Sequence, residues 1–185
     1  MSNFFWYFMI YSFLGFLLEL AFARFSHSQK QHRKCFFLLP LCPVYGFGAV
    51  LILALPAPIR QQPVLLMLLG CTAATLTEYL LGTFYERVLR VSFWDYSALP
   101  FNIGGRVCLP FSLVWSILSV VLVDWLHPWV ILLASAIPSL PTAAALSLTL
   151  GDAGVSCHLL RRFRTTAALC WYQPFPAAAD IDQGQ

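Results

Sequence analysis

The sequence predicts an all-α fold, a polytopic bundle of about five membrane-spanning helices. Of its 185 residues 59% are hydrophobic and only 10% are charged, whereas a soluble domain carries roughly a quarter charged residues. The apolar residues form runs of about twenty, the length that a helix needs to cross the hydrocarbon of a bilayer. A helix suits these runs because it satisfies its backbone hydrogen bonds within itself. We therefore expect a multi-pass protein of the lipid bilayer, in the inner cell membrane.

The first predicted span covers residues 4–25 and has the features of a membrane-anchoring helix. Trp6 and Tyr7 lie near its start, where aromatic side chains suit the interface between lipid and water, and Arg24 lies near its end. The apolar run is too long for a signal peptide and lacks a basic segment before it, so we expect it to stay in the membrane. A basic loop, residues 26–35, follows it.

The second predicted span, residues 36–55, contains two prolines and two glycines near its beginning. Proline removes a backbone hydrogen-bond donor and its ring clashes with the preceding turn, so the beginning of this helix is expected to be kinked or unwound. We interpret Pro43 and Gly46 as a structural hinge. The third predicted span, residues 63–85, follows a short proline-rich turn.

A polar stretch, residues 91–106, separates the third span from the fourth, and we call it the signature loop. It is longer and richer in polar and aromatic residues than an ordinary loop between membrane helices. The fourth predicted span covers residues 107–126, and a His-Pro-Trp turn at residues 127–129 is expected to end it. The fifth covers residues 130–150 and is interrupted by two prolines. Residues 151–185 are predicted to form a polar, disordered cytoplasmic tail.

The basic residues predict the orientation of the bundle. With five spans, residues 1–150 form one transmembrane domain whose loops alternate between the two sides of the membrane. One side carries only Arg60 and the other carries ten lysines and arginines. Because cytoplasmic loops are enriched in basic residues, the N-terminus should lie outside and the C-terminus in the cytoplasm. The ten basic residues on the cytoplasmic side are Arg24, Lys30, Arg33, Lys34, Arg87, Arg90, Arg106, Arg161, Arg162 and Arg164.

Two carboxylates fall inside predicted spans, Glu19 in the first and Glu78 in the third. A charge near the centre of a bilayer costs about 2.5–3.5 kcal/mol on insertion scales, so such a residue normally faces protein or water and is a candidate for function. Both glutamates lie on a stripe of small residues at helical spacing, which favours packing against other helices. They are candidates to bind or gate a solute or ion. The alternative is a structural carboxylate inside the bundle.

Arg106 lies at the start of the fourth span, on the same predicted side as both glutamates. Gly104 and Gly105 before it allow a close backbone approach or a positive φ, and we interpret them as turn residues. A guanidinium group is a natural partner for a buried carboxylate through a bidentate ion pair. We therefore predict that Arg106 pairs with Glu19, Glu78 or both. The alternative is a simple anchor at the membrane interface.

Four further residues of the signature loop are candidates for the same site: Trp94, Asp95, Tyr96 and Asn102. Asp95 and Asn102 are equally able to cap turns or the start of a helix. Trp94 and Tyr96 are equally suited to anchoring the loop at the interface. The clustering of these aromatic rings with Asp95 keeps a ligand site open beside the structural roles.

Several catalytic and binding motifs are absent from the sequence. There is no GxxxxGK[ST] motif for a nucleotide-binding ATPase domain, and no GxSxG motif for a hydrolase. There is no HExxH or CxxC motif, and the spacing of His32 and Cys35 is only weakly typical of metal ligands. We therefore predict no metal site and no cofactor. The net charge of +3 is too small and too dispersed to indicate nucleic-acid binding.

Five sequence motifs occur in a fixed order between Tyr11 and Trp115: FLGFLLE, CPVYGFGAVL, TLTEYLLGTFYER, WDYS and PFNIGGR. Together they resemble the bacterial ABC-transporter permease family of CmpB-like, or type IV, integral membrane proteins. The resemblance implies a transport function and adds Tyr45 to the candidate site. The family pattern covers Glu19, Pro43, Tyr45, Gly46, Glu78, Tyr79, Trp94, Asp95, Tyr96, Pro100, Phe101, Asn102, Gly105 and Arg106.

The favoured function is that of a permease-type protein whose polar cluster, in the cytoplasmic half, binds or gates a small solute or ion. Five helices are few for a complete transporter, so we expect a homo-oligomer or a separate ATPase or membrane subunit. One alternative is a small membrane enzyme acting on a lipid-linked substrate at the cytoplasmic interface. Asp95 or Glu78 would then be the acid or base, and Arg106 would bind a phosphate of the substrate. Another is a non-catalytic membrane assembly or partner protein. The sequence favours a non-enzyme over the enzyme.

Overall fold

A computed structural model describes residues 2–25 and 35–170, and these residues form an all-α bundle with one small hairpin. The predicted fold class is confirmed. Residues 26–34 of the predicted basic loop and residues 171–185 of the predicted tail lie outside the described residues. The helices are α1 (Ser2–Phe25), α2 (Pro43–Leu53), α3 (Ala57–Arg60), α4 (Pro63–Phe84), α5 (Leu109–Val120), α6 (His127–Ser135) and α7 (Ser139–Phe163). A 3-10 turn at Thr166–Leu169 follows α7, and the antiparallel hairpin pairs β1 (Asn102–Ile103) with β2 (Val107–Cys108).

Two π-helical turns lengthen the long helices. One, Tyr85–Leu89, continues α4, and the other, Val121–Leu126, joins α5 to α6. The predicted end of the fourth span at residues 127–129 is therefore wrong, because the helix runs on to Ser135. The wider π-helical turn leaves room for the ring of Pro128, which sits in the first turn of α6 and would otherwise clash with the preceding turn.

Within the described residues, four helices are long and apolar enough to cross a membrane: Asn3–Phe25, Pro63–Leu89, Leu109–Ser135 and Pro141–Phe163. The second predicted span is shorter than expected, because α2 has only 11 residues and begins at Pro43. A helix of that length covers about 16 Å, roughly half of the hydrocarbon thickness. Residues 35–42, directly before it, are non-helical, as the two prolines near the beginning of the predicted span indicate.

The last long helix also differs from the prediction. Residues 130–150 do not form a fifth span, since the first of them belong to α6 and the helix that follows covers Ser139–Phe163. Pro138 precedes that helix with an extended backbone, and Arg164 ends it with a positive φ of 52°. Residues 151–163 of the predicted polar tail are helical, and two of their polar side chains, Asp152 and Ser156, have partners inside the bundle.

Those partners are backbone amides of the non-helical segment before α2. The Asp152 carboxylate, on α7, accepts hydrogen bonds from the amides of Leu38 at 3.0 Å and Leu39 at 2.7 Å. The Ser156 hydroxyl, one turn later, accepts from the amide of Phe37 at 2.8 Å. Asp152 and Ser156 are both buried. Unwound backbone at membrane depth needs such partners within the protein, because lipid offers none.

Within the described residues, the chain runs along the bundle five times in alternating directions, four times as a long helix and once through the segment that contains α2. Helix α2 packs between α1 and α4, and α5 packs on α4. Trp6 donates a hydrogen bond to Thr142 at 2.9 Å, so α1 and α7 begin at the same end. At the opposite end, Tyr85, Phe93 and Leu160 share one buried cluster. Which end faces the cytoplasm stays a prediction from the basic residues.

Candidate functional site

Glu78 lies at the centre of the polar residues in the bundle. Its side chain is 4% exposed and projects from α4. The Tyr96 hydroxyl, from the signature loop, donates to one carboxylate oxygen at 2.9 Å, and the Trp115 indole N–H, from α5, donates to the other at 3.0 Å. One helix, one loop and a second helix therefore meet at this carboxylate.

Glu19 and Tyr45 form a second polar pair beside the first. The Tyr45 hydroxyl, on α2, donates to the Glu19 carboxylate, on α1, at 2.8 Å. The Tyr45 ring lies against the backbone of Gly15, in the space that a Cβ atom at this position would take. The same ring contacts the Trp115 ring edge-to-face, with 5.4 Å between the centroids. Tyr45 thus connects the Glu19 pair with the Glu78 group.

The predicted pairing of Arg106 with Glu19 or Glu78 is wrong. The guanidinium group forms its ion pair with Glu86, which lies in the π-helical turn after α4, and it stands 5.8 Å from the centre of the Tyr79 ring. Glu86 is two helical turns beyond Glu78, at the end of the helix where the hairpin holds Arg106. Glu86 lies just beyond the predicted third span, so the cost of a charge inside a span, which singles out Glu19 and Glu78, does not indicate it.

Hydrogen bonds connect the first part of the signature loop to the turn of the hairpin. The Trp94 indole N–H donates to the carbonyl oxygen of Arg106 at 2.8 Å, and the Tyr96 amide donates to that of Gly105 at 2.7 Å. Gly104 and Gly105 have φ angles of 58° and 69°, so they are the positive-φ turn residues that the sequence predicts. These bonds hold the Tyr96 side chain over Glu78.

Asp95 and Asn102 occupy turns within this loop. The Asp95 carboxylate accepts from the amide of Ser97 at 2.8 Å. The Asn102 side chain donates to the carbonyl oxygen of Leu99 at 2.8 Å and accepts from the amide of Gly105 at 3.2 Å. Both bonding patterns match the turn-capping alternative that the sequence left open.

Two cavities meet at Glu78. The larger, about 320 Å³, is bordered by Glu19 and by aromatic rings that include Phe22, Tyr96 and Phe111. The smaller, about 260 Å³, extends toward the other end of the bundle, past Tyr11. Six residues line both cavities, namely Leu18, Val44, Tyr45, Glu78, Trp115 and Leu118. A ligand in either cavity would contact the same carboxylate.

Three residues of the site region were not among the sequence candidates. Trp115 is the most important, and its signal is its position, because tryptophan in the middle of an apolar span departs from its usual place at the interface. Tyr11 lines the smaller cavity, and its hydroxyl lies 3.3 Å from the ring nitrogen Nδ1 of His127. No sequence spacing connects residues 116 positions apart.

The four long apolar helices of the described residues define the class, a multi-pass membrane protein, and a buried carboxylate borders two of its cavities. A scan against protein-family models matches residues 6–152 to the family described as "Putative ABC-transporter type IV", and the chain belongs to this family. The resemblance found in the sequence motifs is confirmed, and the match extends past Trp115 into α7. A search of curated proteins and a search of solved structures find no match.

The Arg106–Glu86 pair leads to a first prediction. We expect Arg106→Ala and Glu86→Gln each to lower the free energy of unfolding. The double variant should lose less than the sum of the two single losses, with a coupling free energy of roughly 1 kcal/mol for this partly exposed pair. Denaturant titration in mild detergent measures this coupling. Arg106 and Glu78 serve as the control pair, with additive losses expected. A coupling between Arg106 and Glu78, and none with Glu86, would contradict the observed ion pair.

Proposed function

We propose that this protein binds a small cationic solute or ion at Glu78 and passes it between the two cavities during transport across the membrane. One observation carries the proposal. Glu78 is buried and both of its hydrogen bonds come from neutral donors, and within the described residues it has no lysine, arginine or histidine partner. A buried carboxylate is stable only when a proton or a cation neutralises it.

The ion pair of Arg106 with Glu86 supports the same proposal. Because the guanidinium group is held by another carboxylate, it does not compete with a ligand for Glu78. The enzyme hypothesis gains less support, since Asp95 and Arg106 both have structural partners within the signature loop and its helix. Neither residue borders the two cavities that contain Glu78.

The sequence has no nucleotide-binding motif, so a separate ATPase subunit, or coupling to an ion gradient in a homo-oligomer, would drive transport. The uneven distribution of basic residues favours a protein of the inner membrane that is oriented with its larger cavity on the cytoplasmic side.

Ligand-dependent thermal stabilisation of the purified protein in detergent tests the assignment of Glu78. The wild type and Glu78→Gln are heated with Na⁺, K⁺, ammonium and organic ammonium salts, and at several pH values. A ligand that binds only the folded protein stabilises it by about 2.7 kcal/mol at one hundred times its Kd. We expect at least one cation, or protonation at low pH, to stabilise the wild type and not Glu78→Gln.

Glu86→Gln is the matched control, because it removes a carboxylate on the same helix run outside both cavities. We expect this variant to keep the response of the wild type to ligand, although its baseline stability is lower. Equal responses of the wild type and Glu78→Gln to every cation and every pH would overturn the proposal.

A further inference from the structure

We infer that the cation is an organic one, a substituted ammonium with an apolar or aromatic body, seated against Glu78 and the rings of Tyr45, Tyr96 and Trp115. This inference rests on the proposed function and names its substrate class. Three properties of the cavities lead to it: the few oxygen ligands that they offer, the aromatic rings in their walls, and their size.

The cavities are poorly equipped for a bare metal ion. Hard cations such as Mg²⁺ and Ca²⁺ require six or more oxygen ligands in proteins. Within the described residues, no group of three or more histidine, cysteine, aspartate or glutamate side chains could hold a metal ion. The hydroxyl groups of Tyr45 and Tyr96 already donate to the two carboxylates. An inorganic ion would exchange a complete hydration shell for very few oxygen atoms.

The aromatic walls suit an organic ammonium group. Tyr96 stacks on Phe111 with 4.8 Å between the ring centroids, and Tyr45 meets Trp115 edge-to-face. All four rings line the larger cavity, which Glu78 also borders. Ring faces attract a poorly hydrated cation through the ring quadrupole, and clusters of such rings are the usual protein site for quaternary ammonium groups. One carboxylate would supply the charge partner, and the rings would supply the rest of the contact.

The size and the residues of the two cavities set the shape of the ligand. A volume of about 320 Å³ is at the small end of ligand pockets, which range from roughly 300 to 1,000 Å³. The smaller cavity adds about 260 Å³ with mostly aliphatic walls, beyond the contact between Tyr45 and Trp115. A compact cation with one apolar arm fits this space, with its charge near Glu78 and its arm among the apolar side chains.

Benzyltrimethylammonium is the probe for the experiment, with isothermal titration calorimetry of the full-length protein in detergent and a protein-free blank. Neopentylbenzene is its uncharged isostere, tetramethylammonium lacks the aromatic arm, and benzenesulfonate carries the opposite charge. We expect saturable binding of benzyltrimethylammonium, weaker binding of tetramethylammonium, and no binding of the other two. Glu78→Gln should weaken the binding at least tenfold.

Two tryptophans test the role of the rings. Trp115→Leu should weaken binding roughly tenfold, as expected for the loss of one desolvated cation–π contact. Trp125→Leu is the matched control, because Trp125 belongs to the same continuous helix but is 74% exposed, and binding should not change. If Trp115→Leu does not fold, Trp115→Phe, which keeps a ring but loses the hydrogen bond to Glu78, should bind with intermediate strength.

The outcomes separate this inference from the proposed function. Glu78-dependent binding of Na⁺, K⁺ or protons, without binding of benzyltrimethylammonium, would overturn the organic ligand and leave the proposed function in place. Binding of benzyltrimethylammonium that Glu78→Gln leaves unchanged would overturn both. Binding that depends on Glu78 but responds equally to Trp115→Leu and Trp125→Leu would overturn recognition by the aromatic rings.

Discussion

Asp152→Leu is expected to lower the midpoint of thermal unfolding by roughly 10 °C in mild detergent. Asp152 is 3% exposed, and its carboxylate accepts from the amides of Leu38 and Leu39. Each buried amide left without a partner costs about 1–3 kcal/mol, and lipid cannot replace the lost acceptor. The non-helical segment before α2 should therefore detach from α7 in this variant.

Two substitutions provide the comparison for this prediction. Asp152→Asn keeps one acceptor oxygen in a side chain of similar shape. We therefore expect its unfolding midpoint to lie between those of the wild type and Asp152→Leu. Asp124→Asn changes an exposed acidic residue on another helix and should have little effect. An unfolding midpoint of Asp152→Leu within roughly 2 °C of the wild type would show that these hydrogen bonds contribute little.

Gly46→Ala and Gly48→Ala are expected to change stability in opposite directions. A Cβ atom at Gly46 would lie 2.7 Å from both the backbone oxygen of Phe8 and a ring carbon of Phe8, so α1 and α2 must move apart. At Gly48, two residues along the same helix, a Cβ atom would meet nothing within 4 Å. Overpacking costs about 1–3 kcal/mol, whereas alanine in place of a helical glycine gains up to about 1 kcal/mol.

Thermal unfolding of the two alanine variants side by side in one detergent measures this difference, and the folded yield after size-exclusion chromatography gives a second measure. The substitution is the same in both, so differences in helix propensity largely cancel. If the two variants have equal midpoints, α1 and α2 are not packed as closely at Gly46 as the structure has them.

The fold class could be predicted because hydropathy and helix length depend on local composition. The helix ends could not be predicted as well, and Pro128 explains why. Proline normally ends or kinks a helix, yet here a π-helical turn accepts it. Asp152 is the second case, since a polar residue after the apolar runs predicts a tail, whereas Asp152 lies inside α7. Its partners are 114 and 113 residues away in the sequence, so no local pattern reveals them.

The candidate site could be predicted in part for the same reason. Glu19 and Glu78 are conspicuous because a carboxylate in an apolar run is expensive, and the structure places both on the wall of one cavity. The partner of Arg106 depends on the orientation of the hairpin and on the π-helical turn that carries Glu86, neither of which has a clear sequence signal. Trp115 was missed because its contact with Glu78 depends on how α4 and α5 pack.

The bonds between α7 and the segment before α2 also determine when the protein can finish folding. During synthesis the amides of Leu38 and Leu39 are made long before Asp152, which lies 114 residues after Leu38. At about 5–20 residues per second, the ribosome needs roughly 6–23 s to cover that interval. Until then the half-formed bundle holds exposed amides that must stay hydrated or shielded by the insertion machinery. Among the described helices, α7 leaves the ribosome after all the others, and it is the one that completes the second pass.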